Sequence, residues 1–190
     1  MAIDTGLQVG CTDLQATGGV RQIIVTELTN IDTVTLGSSH DYTNLTTASA
    51  AARFEFKNES ASLTINGTKE NGSTSFEIGL SWNIPNIQGS AFEQLKKLQD
   101  ACMVAVVELN SGKKLVIGMS DAFGNQGVDA NTWDRNQTYA TLGGFEGGSG
   151  AAFSDENGIT VSLTCKQYEL PREYTGAITV LAGDVTATLA

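Results

Sequence analysis

The single histidine of this sequence, His40, lies in the run Ser38-Ser39-His40-Asp41, which contains the three residue types of a hydrolase triad. A working triad needs a nucleophile, a base and an orienting carboxylate that converge from separate elements, rather than from adjacent positions of one loop. We therefore interpret His40 as a solvated loop residue, and we predict no hydrolase site around it.

Other residues with metal or redox chemistry lack the spacing that such chemistry requires. Residues 124–129 (GNQGVD) lack the regularly spaced oxygen ligands and the closing glutamate of a calcium loop. Cys11, Cys102 and Cys165 lie far apart in the sequence, which argues against both a zinc site and a disulfide framework. We predict a protein that is not an enzyme and that has no cofactor and no metal.

The composition is that of a globular protein with a strong acidic balance. A length of 190 residues fits a single domain, residues 1–190, that can bury a sizeable core. The formal net charge of −10 disfavours tight binding to nucleic acid, because such binding depends on Lys and Arg side chains that neutralise phosphates. No apolar run approaches the roughly 20 residues of a membrane span. The N-terminal run MAIDTGLQVG does not have the pattern of a signal peptide, so we expect folding in a cytosol.

An alternation of apolar and polar residues dominates the middle of the chain. Residues 75–85 (SFEIGLSWNIP) alternate with the period of two that marks a strand with one buried and one wet face. Residues 52–58 and 61–66 alternate in the same way, which suits an antiparallel meander. The predicted polar side contains Arg53, Glu55, Lys57, Ser62, Thr64, Glu77 and Ser81. The predicted apolar side contains Phe54, Phe56, Leu63, Ile65, Phe76, Ile78, Leu80 and Trp82.

One substantial helix is predicted after these strands. Ser90 and Glu93 have the spacing of a capping box, in which each side chain bonds a free amide of the first helical turn. Phe92, Leu95 and Leu98 recur at helical spacing and are predicted to form one buried stripe. These elements together predict a mainly β fold, an antiparallel β-sandwich or partial barrel, with one α-helix packed across an open side.

Two further segments show no convincing period. Residues 1–19 are polar and rich in Gly and Thr, and we interpret them as an N-terminal arm. Residues 37–52 are predicted to form a long loop, and loops of that length usually serve a function or are disordered.

Several segments, taken together and in order, resemble the tail tube (major tail) protein family of tailed bacteriophages. The first is the amphipathic strand in residues 71–85 (NGSTSFEIGLSWNIP), which is followed by the short helix. The second is a hairpin in residues 104–118 with the turn Asn110-Ser111-Gly112, and the third is the strand pattern of residues 155–171. The resemblance covers about residues 33–174.

The resemblance implies a structural virion protein with a tail-tube-like fold. Proteins of this family form rings, typically hexameric, that stack into a hollow tube through which the genome leaves the capsid. Each subunit contributes a sheet to a continuous barrel around the lumen, and a long loop reaches the adjacent ring. The implied partners are further copies of the chain and other tail proteins such as sheath, tape measure and terminator. The DNA passes without specific binding, and assembly takes place in the host cytoplasm.

Under this resemblance the polar side of the predicted meander faces an acidic and polar lumen, and residues 37–52 contact the next ring. In that loop, Tyr42 and Leu45 are the expected apolar anchors, and Asp41 and Asn44 are the expected polar contacts.

The alternative is a β-sandwich binding module, either a carbohydrate-binding or a capsid-decoration domain. Such a module requires an exposed aromatic platform, for which Trp133 and Tyr139 are the best candidates in this sequence.

Overall fold

The computed structural model describes residues 18–120, 138–151, 157–181 and 186–190, which form β-strands, one α-helix and a 3-10 turn at Leu28–Asn30. The first six strands are β1 (Val20–Glu27), β2 (Ile31–Leu36), β3 (Asp41–Thr47), β4 (Ala51–Phe54), β5 (Ser62–Glu70) and β6 (Ser73–Pro85). After helix α1 (Gly89–Gln99) follow β7 (Met103–Leu109), β8 (Lys114–Ile117), β9 (Thr141–Gly148), β10 (Gly158–Gln167), β11 (Arg172–Tyr174), β12 (Ile178–Val180) and β13 (Thr186–Leu189).

The strands form two sheets. The larger sheet has nine strands in the order β12-β13-β4-β1-β7-β8-β11-β3-β2, and the smaller has four in the order β5-β6-β10-β9. Neighbouring strands are antiparallel except for β3 and β11, which are parallel. The prediction of a mainly β fold with antiparallel sheets and one helix is confirmed, and within the described residues neither sheet closes into a barrel.

The apolar side chains form two cores, one on each side of the nine-stranded sheet. The first core lies between the two sheets, where Ile23 and Val107 share a cluster with Leu80 and Trp82. The second core lies on the opposite side, and the sheet curls around it so that β13 and β3 contact each other. Strands β1 and β7 are therefore buried on both faces, which explains their continuous apolar runs (IIV and MVAVV).

Helix α1 covers the first core with a different stripe from the one predicted. It buries Ala91, Leu95 and Leu98, whereas Phe92 remains 51% exposed, so the prediction of a packed Phe92 is wrong. Positions 91, 95 and 98 share one helical face, and position 92 lies about 100° around the axis. The predicted capping box is also wrong, because the helix begins at Gly89 and Gln88 occupies the cap without a side-chain hydrogen bond.

The prediction of a long loop at residues 37–52 is wrong, because this segment contains β3 and the start of β4. Strand β3 pairs with β2, but Thr43 is an extra residue, since Thr35 lies opposite Asn44 and Leu36 lies opposite Tyr42. The bulge places Tyr42 and Leu45 on the same side of the strand although they are three positions apart. Both side chains are fully buried in the second core, so neither is an exposed anchor for another ring.

The two polar residues predicted for the loop, Asp41 and Asn44, both belong to β3. Asp41 accepts a hydrogen bond from the backbone N–H of Ser39, at 3.0 Å, in the tight turn between β2 and β3. Asn44 lies within β3 and is half-buried. The loop on which the inter-ring contacts of Asp41 and Asn44 were placed is a strand instead, and their contact with another ring stays a prediction.

Candidate assembly interface

The outer face of the four-stranded sheet is covered by small polar side chains. In one row across the sheet, Ser62 lies opposite Ser81 and Ser81 lies opposite Ser162. The hydroxyl oxygens of Ser62 and Ser81 are 2.9 Å apart, and Ser162 Oγ donates to the carbonyl oxygen of Gly144 at 3.1 Å. The face comprises Ser62, Thr64, Asn66, Glu77, Ser81, Asn83, Thr141, Glu146, Thr160, Ser162, Thr164 and Lys166.

Glycines keep this face flat. A Cβ atom at Gly79 would lie 2.8 Å from Thr64 Oγ1, and one at Gly143 would lie 2.8 Å from Thr164 Cγ2. The side chains of Thr64 and Thr164 therefore lie over these glycines of the neighbouring strands, and a larger residue in place of either glycine would clash with them. The result is a wall of hydroxyl, amide and glycine groups, from which the longer side chains of Glu77, Glu146 and Lys166 project.

The opposite face of the same four strands is apolar, as the alternation requires. Leu80 and Trp82 of β6 and Val161 and Leu163 of β10 are fully buried in the first core. This amphipathic division fixes the register, because a slip by one residue would exchange the two faces. The alternation of residues in these strands therefore determines which side chains form the polar face.

The charges on the polar face are few and nearly balanced. Glu77 and Lys166 lie opposite each other in neighbouring strands, and Glu146 adds a second carboxylate. The face thus has an excess of one acidic side chain, and most of the chain's net charge of −10 lies elsewhere. It offers no row of cations that could neutralise a run of phosphates.

Four of the seven residues predicted for the polar side lie on this face: Ser62, Thr64, Glu77 and Ser81. Arg53 lies in β4 of the other sheet, where its guanidinium pairs with Glu55 at 3.0 Å. Glu55 and Lys57 lie in the segment that connects the two sheets. The prediction of one meander through residues 52–66 is wrong, because the chain changes sheets between β4 and β5.

Strands β9 and β10 contribute the half of the face that was not predicted from the sequence. The run ITVSLTCKQ in β10 alternates as clearly as β6 does, so the signal for Thr160, Ser162 and Thr164 was present. The position of Glu146 on this face was harder to predict from the sequence, because the glycines of β9 and the register shift beside Gly144 break the period of two.

Both edges of the four-stranded sheet are open within the described part of the chain. Strand β5 contributes nine residues to one edge and β9 contributes eight to the other, and no described strand pairs with either outer edge. Soluble proteins usually protect such edges with proline, short strands or inward-pointing charges. Neither strand contains proline, and both are longer than an average strand.

The hairpin between β5 and β6 projects beyond both cores. Residues 66–75 are exposed on both faces, and the turn at its tip is formed by Asn71 and Gly72, whose φ angles are 49° and 84°. Positive φ at both central positions is the geometry of a type I′ turn, which matches the twist of a two-stranded hairpin.

The histidine that was considered for hydrolase chemistry, His40, contacts the backbone of a distant segment. His40 is exposed in the β2–β3 turn, and its Nε2 lies 3.0 Å from the carbonyl oxygen of Leu170. Within the described ranges, no group of three or more His, Cys, Asp or Glu side chains could hold a metal ion. None of the described helical segments has the length and apolar character to cross a membrane.

The remaining sequence predictions concern segments that are described only in part. Tyr139 is half-buried against the second core, whereas Trp133 lies outside the described residues, so the aromatic platform of the alternative function stays a prediction. Of the predicted arm at residues 1–19, only Gly18 and Gly19 belong to the described part of the chain.

Comparison of the chain with protein-family models, with curated proteins and with solved structures gave no match.

Proposed function

We propose that this chain is a structural subunit that closes into rings and stacks into a hollow tube, the tail tube of a tailed bacteriophage. The observation that carries the proposal is the four-stranded sheet, which has one buried apolar face, one polar face and, among the described strands, two open edges. Open edges favour aggregation in a monomer. In a ring, each edge pairs with the opposite edge of the next copy.

The strand count of the sheet is compatible with such a ring. Neighbouring strands in the order β5-β6-β10-β9 alternate in direction, so β5 and β9 run in opposite directions. Rotation about a ring axis preserves strand direction, and β9 of one copy therefore meets β5 of the next in antiparallel orientation. An odd number of strands would have produced a parallel junction. The same rotation keeps every polar face on one side of the closed barrel.

The expected size suits the passage of DNA. Six copies, the number implied by the family resemblance, contribute about 24 strands if each provides the four-stranded sheet. With a strand spacing of about 4.8 Å and a tilt of about 40°, the backbone barrel is roughly 48 Å across. Packed sheets are about 10 Å apart, so side chains occupy about 5 Å on each side and leave a channel of roughly 38 Å.

The chemistry of the polar face favours transit over binding. A cationic wall would hold DNA through the release of counterions from its phosphates. This face has one lysine, Lys166, and that residue lies opposite Glu77. The hydroxyl groups of Ser62 and Ser81 bond each other, so one of their two protons is no longer available to donate to a phosphate.

The test is the state of the purified chain at increasing protein concentration. We expect sedimentation to show large particles and negative-stain microscopy to show rings or hollow tubes with a central channel. A protein that stays monomeric at every concentration and salt condition would contradict the proposal. Monomers that bind immobilised polysaccharide or capsids would instead favour the binding-module alternative.

A further inference from the structure

The inner, apolar side of the four-stranded sheet has one incompletely covered large side chain at each open edge. On β5, Ile65 lies opposite the buried Ile78 and is itself 40% exposed. On β9, Phe145 lies opposite the buried Val161 and is 55% exposed. Both side chains therefore lie on the face that elsewhere packs in the first core.

A groove opens between the two sheets beside the β5 edge. It has a volume of about 310 Å³, and its apolar lining consists of Val20, Leu63, Ile65, Leu109 and Leu115. An apolar cavity of about 150 Å³ is large enough to hold a benzene ring. The groove therefore has room for one phenyl side chain. The described part of the same copy carries such a side chain, Phe145, on the opposite edge of the sheet.

We propose that Phe145 of one copy inserts into this groove of the next copy, with β9 and β5 paired so that Phe145 lies opposite Ile65. This inference rests on the ring proposed above and specifies its junction. The same register places Glu146 opposite Thr64 on the polar face, and Gly147 opposite Leu63 on the apolar face. The two incompletely buried apolar side chains then cover each other.

The neighbouring registers that keep the faces aligned are less favourable. A shift by two residues in one direction places Phe145 opposite Gly67, where the ring of Phe76 already lies 3.1 Å from the position of a Cβ atom. A shift in the other direction places Phe145 opposite Leu63 and brings Ile65 beside the register shift at Gly144, where the alternation of β9 is broken. Of the three registers, the proposed one places Phe145 directly opposite Ile65, so that the two exposed apolar side chains cover each other.

Disulfide trapping tests the register. In a Cys11→Ser, Cys102→Ser background, Thr64→Cys and Glu146→Cys are combined in one chain. Directly opposed residues of antiparallel strands have Cα atoms about 4.5–5.5 Å apart, which is within the range that a disulfide spans. We expect oxidation of the assembled protein to give a ladder of covalent multimers on a non-reducing gel, with at least about tenfold more product than either shifted pair.

The shifted pairs are Ser62→Cys with Glu146→Cys and Asn66→Cys with Glu146→Cys. Preferential cross-linking of a shifted pair in intact tubes overturns the register and leaves the proposed function standing. Tubes in which none of the three pairs cross-links overturn the junction itself. If the parent protein forms neither rings nor tubes, the junction and the proposed function both fail.

A second variant tests the insertion without introducing cysteine. Phe145→Ala removes the inserting ring, and we expect the protein concentration required for assembly to rise at least about tenfold, because truncation of a buried aromatic side chain at an interface is costly. Phe92→Ala is the matched control, since it removes a ring of similar exposure from helix α1. Assembly of Phe145→Ala at the parental concentration would overturn the insertion.

Discussion

The aromatic rings of Phe54 and Trp82 lie 5.4 Å apart at an interplanar angle of 54°, and this contact joins the two sheets. Phe54 belongs to β4 of the nine-stranded sheet, and Trp82 belongs to β6 of the four-stranded sheet. Tilted aromatic pairs at this distance stabilise a core beyond the area that they bury. The strand that carries part of the polar face, β6, is therefore held against the nine-stranded sheet by an aromatic contact on its opposite side.

Phe54→Ala should lower the free energy of unfolding by about 3–5 kcal/mol, because it removes a large side chain from a packed core. Phe92→Ala should cost far less, since Phe92 is 51% exposed whereas Phe54 is 8% exposed. Urea denaturation followed by Trp fluorescence measures both values. Equal losses of stability in the two variants would contradict the positions of these two rings.

The parts of the fold that the sequence predicted are those with an uninterrupted local pattern. Strict alternation in residues 75–85 predicted β6 and its buried face, and the turn at residues 110–113 predicted the β7–β8 hairpin. Strand β3 was missed because the bulge at Thr43 separates two buried residues by three positions instead of two. A single inserted residue thus made a strand look like a loop.

Tertiary arrangement accounts for the other errors. Nothing in the local alternation of residues 52–58 indicates that the chain leaves one sheet and enters the other after Phe54. On the helix, Ala91 and Phe92 are both apolar, and only the position of the sheets beneath decides which of them is buried. The outer face was half predicted for the same reason, because the pairing of β6 with β10 is a long-range contact.

Cys165 should make the protein less stable at alkaline pH. Burial raises the pKa of its thiol from 9.0 to about 11, and a backbone hydrogen bond with Gly118 offsets part of that effect. The folded state favours the protonated thiol of Cys165 over the thiolate. The contribution of this thiol to the stability of the fold is therefore complete below pH 9 and is lost as the pH rises toward 11. We expect the free energy of unfolding to fall across this interval.

Cys165→Ala is the variant that isolates this effect. Tyr174 is also buried, which raises its pKa, but it contributes equally to the parent and to the variant. The difference between their stability curves therefore reports Cys165 alone, and parallel curves from pH 8 to pH 11 would refute the assignment. Thiol labelling of the native protein provides an independent measurement, in which the exposed Cys102 should react before the buried Cys165.

The projecting β5–β6 hairpin should be required for stacking, on the proposed function. A two-stranded hairpin exposed on both faces gains little stability from its own domain, so another copy is the natural source of contacts. Deleting Thr68, Lys69, Thr74 and Ser75 removes two facing pairs and keeps both the Asn71-Gly72 turn and the alternation of faces. We expect a folded subunit that no longer forms long tubes in electron micrographs.

A variant of parental length controls for the sequence change in this hairpin. Exchanging Thr68 and Ser75, which lie opposite each other, preserves the length and polarity of the hairpin, and this protein should assemble normally. Long tubes from the shortened variant would show that the hairpin does not connect rings. Loss of the folded subunit, seen as a lowered Tm, would contradict the view that the hairpin projects from an independently stable domain.

On the proposed function, Glu77→Lys should convert a face along which DNA passes into one that retains DNA. The substitution changes each copy by two charge units and places a lysine opposite Lys166, so a closed ring acquires a band of cations. Such a band should hold short duplex DNA in assembled tubes at low salt and release it as the salt concentration rises, because binding through phosphates depends on counterion release. Co-sedimentation of labelled duplex with tubes measures the retention.

Glu93→Lys makes the same change of charge on the exposed face of helix α1, which the proposed ring places outside the channel. If both variants retained DNA equally, net charge alone would explain the effect and the polar face would not line the channel. Retention by Glu77→Lys alone would identify this face as the wall that the DNA passes.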